Sequence, residues 1–227
     1  MAIQVFQIQP RDIKIISKND NPRFFQDLII CFYSFDNLAP NKLGRSYHHY
    51  VAPQSTTKND CLFVLRVWRE MAMQGLFEGF TKIHIFSDGG PKHFKMSATM
   101  SFFGLLKKHL NVDVYYHFFE SNHGHSICDG VAYQAKKVLN SYQRDTGIPI
   151  NNANEICTVI HNIKNHIADI ASISSENKDH PTFHGIRSMM KFTFSPTRLQ
   201  GFHLSKDEEM KKRCNLFYSS LSSFSKS

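Results

Sequence analysis

Two aspartates are placed where carboxylates could gather at one edge of a sheet. Asp88 follows a short β-prone segment and precedes two glycines, while Asp129 opens a helical pattern in Cys128-Asp129-Gly130. The residues between them suffice for one helix and one strand, which would return the chain to the edge where open α/β sheets collect functional groups. Paired carboxylates repel each other, and Mg²⁺ or Mn²⁺ relieves that repulsion. The spacing therefore predicts a metal site for phosphodiester chemistry, held by Asp88 and Asp129.

Both aspartates also have ordinary structural interpretations. Asp88 before Gly89 fits an Asp-Gly turn, in which the aspartate side chain bonds the local backbone. Ser126 and Asp129 have the spacing of a capping box, so Asp129 could serve only the N-terminus of its helix. The sequence leaves these alternatives open.

A histidine cluster lies just before Asp129. His123, His125 and Cys128 combine imidazole and thiolate, which suit zinc, but they supply only three ligands and no partner cluster follows. Zinc is therefore not expected, although a zinc-dependent hydrolase remains a third alternative. We predict instead that His123 and His125 lie near phosphate in a loop that enters the helix. A second pair, His48 and His49, is predicted to lie in a loop and face solvent.

Lysines flank both aspartates. Lys92 and Lys95 follow Asp88, and Lys136 and Lys137 follow Asp129. Such lysines would attract the phosphates of a polyanion, although they could equally be solvated helix faces.

The basic surplus is spread along the chain. The net charge is +8, from 27 Lys and Arg against 19 Asp and Glu. Residues 1–120 carry 14 basic and 10 acidic side chains, and residues 121–227 carry 13 and 9. This distribution predicts a broad basic face rather than a basic arm, with DNA as the expected partner.

The elements that must position these residues alternate along the chain. Apolar patterns predict a strand or hairpin over 3–16 and a buried strand over 28–35, with a loop from residue 36 to Pro53. Further strands are predicted at 82–86 and 112–119, and helices from Asn59, Phe94 and Cys128. This alternation indicates an α/β fold. Beyond it, the pattern predicts one helix over 156–170, a polar linker, a late strand near Phe192 and a Ser-rich tail.

Several motifs in this order and spacing resemble a transposon-derived eukaryotic family. They are the segments 86–95 and 118–125, and Cys128-Asp129-Gly130 with Lys136 and Lys137 behind it. The resemblance covers residues 45–145. It implies an RNase H-like transposase or integrase core, in which a mixed sheet is flanked by helices, over residues 1–145. A mainly helical C-terminal extension would then occupy residues 146–227. It also implies Mg²⁺-dependent chemistry on DNA, with Asp88 and Asp129 at the matching acidic positions.

The chain departs from the family pattern at several points. His125 stands where the family has lysine, and residues 131–134 replace a glycine-rich continuation. The first acidic residue of such a core belongs on its central first strand, and the resemblance places that residue upstream of Met1. Either Asp36, which closes the buried segment 28–35, is the third acidic residue, or the chain lacks that strand and is a remnant.

Two functions follow as expectations. With a complete acidic set, the chain would bind DNA and cleave phosphodiesters or transfer strands. Without one, it would be a non-catalytic nucleic-acid or protein interaction module.

The cysteine pattern and the apolar segments bear on the compartment. The five cysteines are an odd number and include no C-x-x-C pair, which favours a reducing environment. The chain starts without a signal-peptide pattern, and its longest apolar segment is too short to cross a bilayer. We expect an intracellular protein, nuclear rather than cytoplasmic, with no membrane partner.

Overall fold

The structure is a computed structural model that describes residues 3–15, 23–35, 43–53, 61–87, 94–118, 127–171, 191–194, 199–202 and 211–214. These residues form nine strands and four helices. In chain order they are β1 (Ile3–Ile15), β2 (Arg23–Phe35), β3 (Leu43–Pro53), α1 (Cys61–Met73), β4 (Lys82–Ser87), α2 (Ser97–Leu110), β5 (Asp113–Phe118), α3 (Ile127–Thr146), α4 (Ala153–His161), β6 (His166–Ile170), β7 (Lys191–Phe194), β8 (Leu199–Phe202) and β9 (Lys211–Cys214).

The described strands form one mixed sheet in the order β6-β3-β2-β1-β4-β5-β7-β8-β9. β1 pairs parallel to β4, and β4 pairs parallel to β5. β2 runs antiparallel to both of its neighbours, β1 and β3, whereas β6 is parallel to β3. β7, β8 and β9 continue the sheet as an antiparallel series. The predicted mixed α/β fold is confirmed.

The apolar strand β2 explains why helices lie on both faces of the sheet. Leu28 and Ile30 belong to the core cluster that contains α1 and α2, whereas Ile29 and Cys31 pack with the start of α3. Successive strand residues point to opposite faces, so a continuous apolar run needs cover on both. A third cluster lies between α3, α4 and the strands β2, β3 and β6. The described residues therefore form three layers, helix, sheet and helix.

Helix α1 carries the centre of the larger core. Its apolar positions repeat with helical spacing and place Trp68 at the middle of the buried face. The Trp68 ring meets Phe103 of α2 edge-on at 5.0 Å between centroids and lies 5.9 Å from Phe77. None of the four described helices combines the length and the apolarity that a bilayer-spanning helix needs.

Of the two alternatives predicted for the N-terminal segment, the strand is confirmed and the hairpin is wrong, because residues 3–15 form one continuous strand. β1 pairs with β2 along its whole length, from Gln4 with Ser34 to Ile15 with Arg23. Its pairing with β4 stops at Ile8. Pro10 lies beyond that point, where β2 is the one strand among the described residues that pairs with β1, and proline is tolerated where a strand needs fewer hydrogen bonds.

Two further predictions are wrong in the region around β3 and β6. Residues 43–53 are predicted as loop because proline and glycine near the ends of this segment are typical of turns, but they form the strand β3. The single helix predicted over 156–170 divides into α4 and β6, because Asn165 adopts a left-handed φ of 65° that a helix cannot include. The isoleucine spacing continues across the break, so the pattern alone could not locate it.

The C-terminal extension also differs from the prediction. Among its described residues, one helix, α4, is followed by four strands, β6 to β9, rather than by further helices. The late strand predicted near Phe192 is present as β7. The residues after 146 therefore add strands at both edges of the described sheet, β6 beside β3 and β7 to β9 beyond β5.

Candidate functional site

Of the predicted metal set, only Asp129 is among the described residues; Asp88 and Asp36 lie outside them. Asp129 lies half-buried in the first turn of α3. Its neighbour Cys128 is completely buried, and its Sγ lies 3.5 Å from the Sγ of Cys31 on β2. The start of α3 is therefore packed against strand β2.

The strand register relates this helix start to the end of β4. Cys31 pairs with Gln7 of β1, and Gln7 pairs with Phe86 of β4. Neighbouring strands are about 4.8 Å apart, so Cys31 lies about 10 Å from Phe86. β4 ends one residue later, at Ser87. The first turn of α3 thus lies over β2, two strands away from the carboxyl end of β4.

Strand direction separates the end of β2 from the end of β4. Near the end of β2, Ser34 pairs with Gln4 of β1 and Gly44 of β3. At the end of β4, Ser87 pairs with Ile8 of β1. Because β2 is antiparallel to β1, and β1 is parallel to β4, the end of β2 lies on the side of the sheet where β4 begins, not where β4 ends.

The part of β1 that pairs with β4 carries no carboxylate. Residues 3–8 read Ile-Gln-Val-Phe-Gln-Ile. The one acidic residue of β1, Asp12, pairs with Gln26 of β2 and follows the last pair between β1 and β4. Within the described ranges, no group of three or more His, Cys, Asp or Glu side chains has an arrangement that could hold a metal ion.

The predicted phosphate-binding residues have different environments. Lys92, His123 and His125 lie outside the described residues. Lys95 is only 5% exposed, and its Nζ lies 4.9 Å from the centre of the Phe118 ring. Burial lowers the pKa of Lys95 from its ordinary value. Its ammonium group therefore packs beneath the surface, where a large anion has little access.

The outer face of α3 is basic and carries an exposed aromatic ring. Lys136 and Lys137 are exposed, and Tyr133, one turn before them, is 71% exposed. Arg144 continues the face and pairs with Asp145 at 3.0 Å. Tyr133, Lys136 and Lys137 have the i, i+3, i+4 spacing that puts side chains on one side of a helix.

A buried polar chain crosses three strands on the side of the sheet covered by α3 and α4. Nδ1 of His49 on β3 lies 2.8 Å from Oδ2 of Asp27 on β2. Nε2 of His49 lies 3.0 Å from Nδ1 of His166 on β6, and the two ring planes are within 17° of parallel. All three side chains are more than nine-tenths buried. Within the described part of the chain, Oδ1 of Asp27 and Nε2 of His166 have no hydrogen-bond partner.

The surroundings of this chain shift the pKa values of nearby groups. Burial, with a smaller effect of the adjacent His49, lowers the pKa of His166 to about 4. Burial, together with the Asp27 and Asp169 carboxyl groups, raises the pKa of the Cys157 thiol to about 12. A low imidazole pKa and a high thiol pKa both favour the neutral form, so His166 and Cys157 are uncharged at neutral pH.

His48 belongs to the opposite side of β3. Its ring lies 4.3 Å from the ring of Phe32, and its Nε2 lies 3.3 Å from Oγ of Ser46. Burial lowers the pKa of His48 to about 4. The prediction that His48 and His49 face solvent is therefore wrong, since both are buried.

Sequence reasoning missed the Asp27–His49–His166 chain. Asp27 directly precedes the apolar segment that begins at Leu28, His49 precedes Tyr50 and Val51, and His166 precedes Ile167. That placement was the available signal, because a polar residue next to a buried run is itself often buried. The three residues are separated by 22 and 117 positions, so no local pattern joins them.

Residues 54–207 match the model of a protein family described as a domain of unknown function (DUF8701). The chain belongs to the DUF8701 family. No curated protein and no solved structure matches it.

The DUF8701 match begins before α1 and ends after β8, so it does not include β1, β2 and β3. It contains Asp88, Asp129 and the lysines that follow them. Of the buried polar chain, only His166 lies within the match, whereas Asp27 and His49 belong to the preceding strands.

Proposed function

We propose that this DUF8701 protein is a transposase-derived, RNase H-like domain that binds DNA without cleaving it. Five adjacent strands support the RNase H-like part of the proposal. They lie in the order β3-β2-β1-β4-β5, and β2 alone runs antiparallel to the other four. A mixed sheet with a parallel centre and helices on both faces is the core that the resemblance implies.

The composition of β1 is the observation that carries the non-catalytic part. A core of this type has its first acidic residue on the central first strand, and β1 lies at that place in the strand order. The residues of β1 that pair with β4 include Gln4 and Gln7 and no carboxylate. The side-chain amide of a glutamine is neutral, so it does not add the negative charge that a second carboxylate would contribute to a Mg²⁺ site. The donors of the described region therefore do not fit a carboxylate-rich metal site.

The outer face of α3 supports the binding of DNA. Lys136 and Lys137 present two exposed lysine side chains on the same face as the exposed Tyr133 ring, and the chain has a net charge of +8. Lysines bind phosphates without regard to sequence, and they release counterions when they do so. We propose DNA as the ligand and the nucleus as the compartment.

A second candidate, metal-dependent phosphodiester cleavage, has one observation in its favour. The first turn of α3, with Asp129, lies over β2, two strands away from the carboxyl end of β4, and Asp88 directly follows Ser87, the last residue of β4. In this alternative Asp88 and Asp129 would hold Mg²⁺ or Mn²⁺.

Binding is tested by charge reversal on α3. We expect the double variant Lys136→Glu/Lys137→Glu to bind a short mixed-sequence duplex about tenfold more weakly, with a plot of log affinity against log salt that is less steep by about two units. Fluorescence anisotropy over a salt series measures both quantities. The matched control is Lys108→Glu/Lys164→Glu, which makes the same charge change at two exposed positions off this face. Equal losses in the two double variants, or wild-type affinity indifferent to salt, would contradict the proposal.

Cleavage is tested separately with supercoiled plasmid. The wild-type chain is expected to leave the plasmid intact in Mg²⁺ and in Mn²⁺, because the central strand lacks the first carboxylate. Gel electrophoresis after incubation detects a single nick. Nicking by the wild type that disappears in Asp129→Asn, with DNA affinity unchanged, would replace the proposal with the second candidate.

A further inference from the structure

We propose that Asp27, His49 and His166 form a proton-operated latch that fastens strand β6 to the sheet at neutral pH and releases it in mild acid. β6 is five residues long and lies at the end of the described strand order, where β3 is its neighbour. His166 is its first residue. The latch therefore joins an edge strand to the second and third strands of the sheet.

The hydrogen-bond roles along the latch follow from the carboxylate. An ionised Asp27 can only accept, so Nδ1 of His49 donates its N–H to Oδ2 of Asp27. A neutral His49 then has a lone pair on Nε2, which accepts the N–H on Nδ1 of His166. His166 is left with a lone pair on its buried Nε2. Both hydrogen bonds are satisfied with the two imidazoles neutral.

An added proton disturbs this arrangement. If it binds Nε2 of His166, that ring becomes a buried cation whose new N–H has no described partner. If it moves along the chain to His49, Nδ1 of His166 must accept rather than donate, and Nε2 of His166 again carries an unpaired N–H. In either case a buried donor is left without a hydrogen bond, which costs free energy. Local opening exposes the group to water and removes that cost.

The groups around His166 offer little compensation for the added charge. Nearby titratable groups come from β2, β3, α4 and β6, and they are Asp27, Tyr47, His49, Cys157 and Asp169. Asp27 is the carboxylate within the latch, and His49 lies between it and His166. Asp169 is three residues along the strand. Lys164, in the turn before β6, is exposed.

The sign of the pH effect follows from the direction of the shift. Burial lowers the pKa of His166 from 6.5 to about 4 in the folded chain. Because the open state binds this proton more readily than the folded state, the folded state keeps its full stability above pH 6.5 and becomes less stable as the pH falls toward 4. By this linkage, the opening equilibrium of β6 rises about 30-fold between about pH 7.5 and about pH 5.

The experiment is amide hydrogen exchange on the full chain, corrected for the intrinsic effect of pH. In the wild type, protection of the β6 amides, Ile167 to Ile170, should fall about 30-fold from pH 7.5 to pH 5, while the β4 and β5 amides change much less. His166→Gln keeps a polar side chain that does not titrate, and its β6 protection should be nearly independent of pH. The control His161→Gln removes an exposed histidine from the end of α4 and should behave as the wild type.

Two outcomes would overturn the latch. One is a fall of the same size in His166→Gln as in the wild type, and the other is no fall in the wild type. A second measurement covers the case in which His166→Gln does not fold. The ¹⁵N spectrum of histidine-labelled wild type should show His166 neutral at pH 6 with its proton on Nδ1, and titration of His166 near its ordinary pKa would contradict the proposal.

Discussion

Trp68→Ala is expected to lower the free energy of unfolding by about 3–5 kcal/mol, because the large ring fills the centre of the main core. The side chain is completely buried and lies against the rings of Phe77 and Phe103. These neighbours belong to the turn after α1 and to α2, so the cavity would lie between elements that cannot easily close it. Urea unfolding followed by circular dichroism measures the change, since the variant lacks the single tryptophan of the chain.

The matched control for this variant is Met73→Ala. Met73 is the last residue of the same helix and is 80% exposed. Its replacement should change stability by no more than about 0.5 kcal/mol. A loss below about 1 kcal/mol for Trp68→Ala would mean that α1 does not pack on the sheet as described.

The elements that form the main core could be predicted from the sequence because their patterns are local. β4 alternates buried and half-buried residues, as does β5, and the apolar face of α1 repeats with helical spacing. In each case the residue types that form the element also indicate which face is buried. The strand order could not be derived in this way, because the central position of β1 depends on its pairing with β4, more than seventy residues later.

The residues of the candidate site also differ in whether a local sequence pattern marks them. Asp88 and Asp129 stand out because local motifs surround them, and so do Lys136 and Lys137 on an exposed helix face. No such motif surrounds His49. It lies among polar and aromatic residues that resemble a loop, and its burial depends on partners from two other strands. Buried polar residues are hard to predict from sequence because their partners are distant in the chain.

His49→Leu is expected to lower the free energy of unfolding at neutral pH by about 3–5 kcal/mol, although leucine fills a similar volume. The variant leaves the buried carboxyl group of Asp27 without the imidazole that lies 2.8 Å away, and Oδ1 of Asp27 already lacks a described partner. It also removes the acceptor for Nδ1 of His166. Chemical denaturation followed by tryptophan fluorescence measures the loss.

A double variant and a neighbouring histidine separate this effect from packing. Asp27→Val/His49→Leu removes both members of the pair and should be more stable than His49→Leu by at least about 1 kcal/mol, because no buried carboxylate remains unpaired. His48→Leu replaces the adjacent histidine, whose partner is the hydroxyl of Ser46, and should cost only about 1 kcal/mol. If His49→Leu cost no more than His48→Leu, or if adding Asp27→Val made it less stable, the buried pair would contribute nothing beyond the volume it fills.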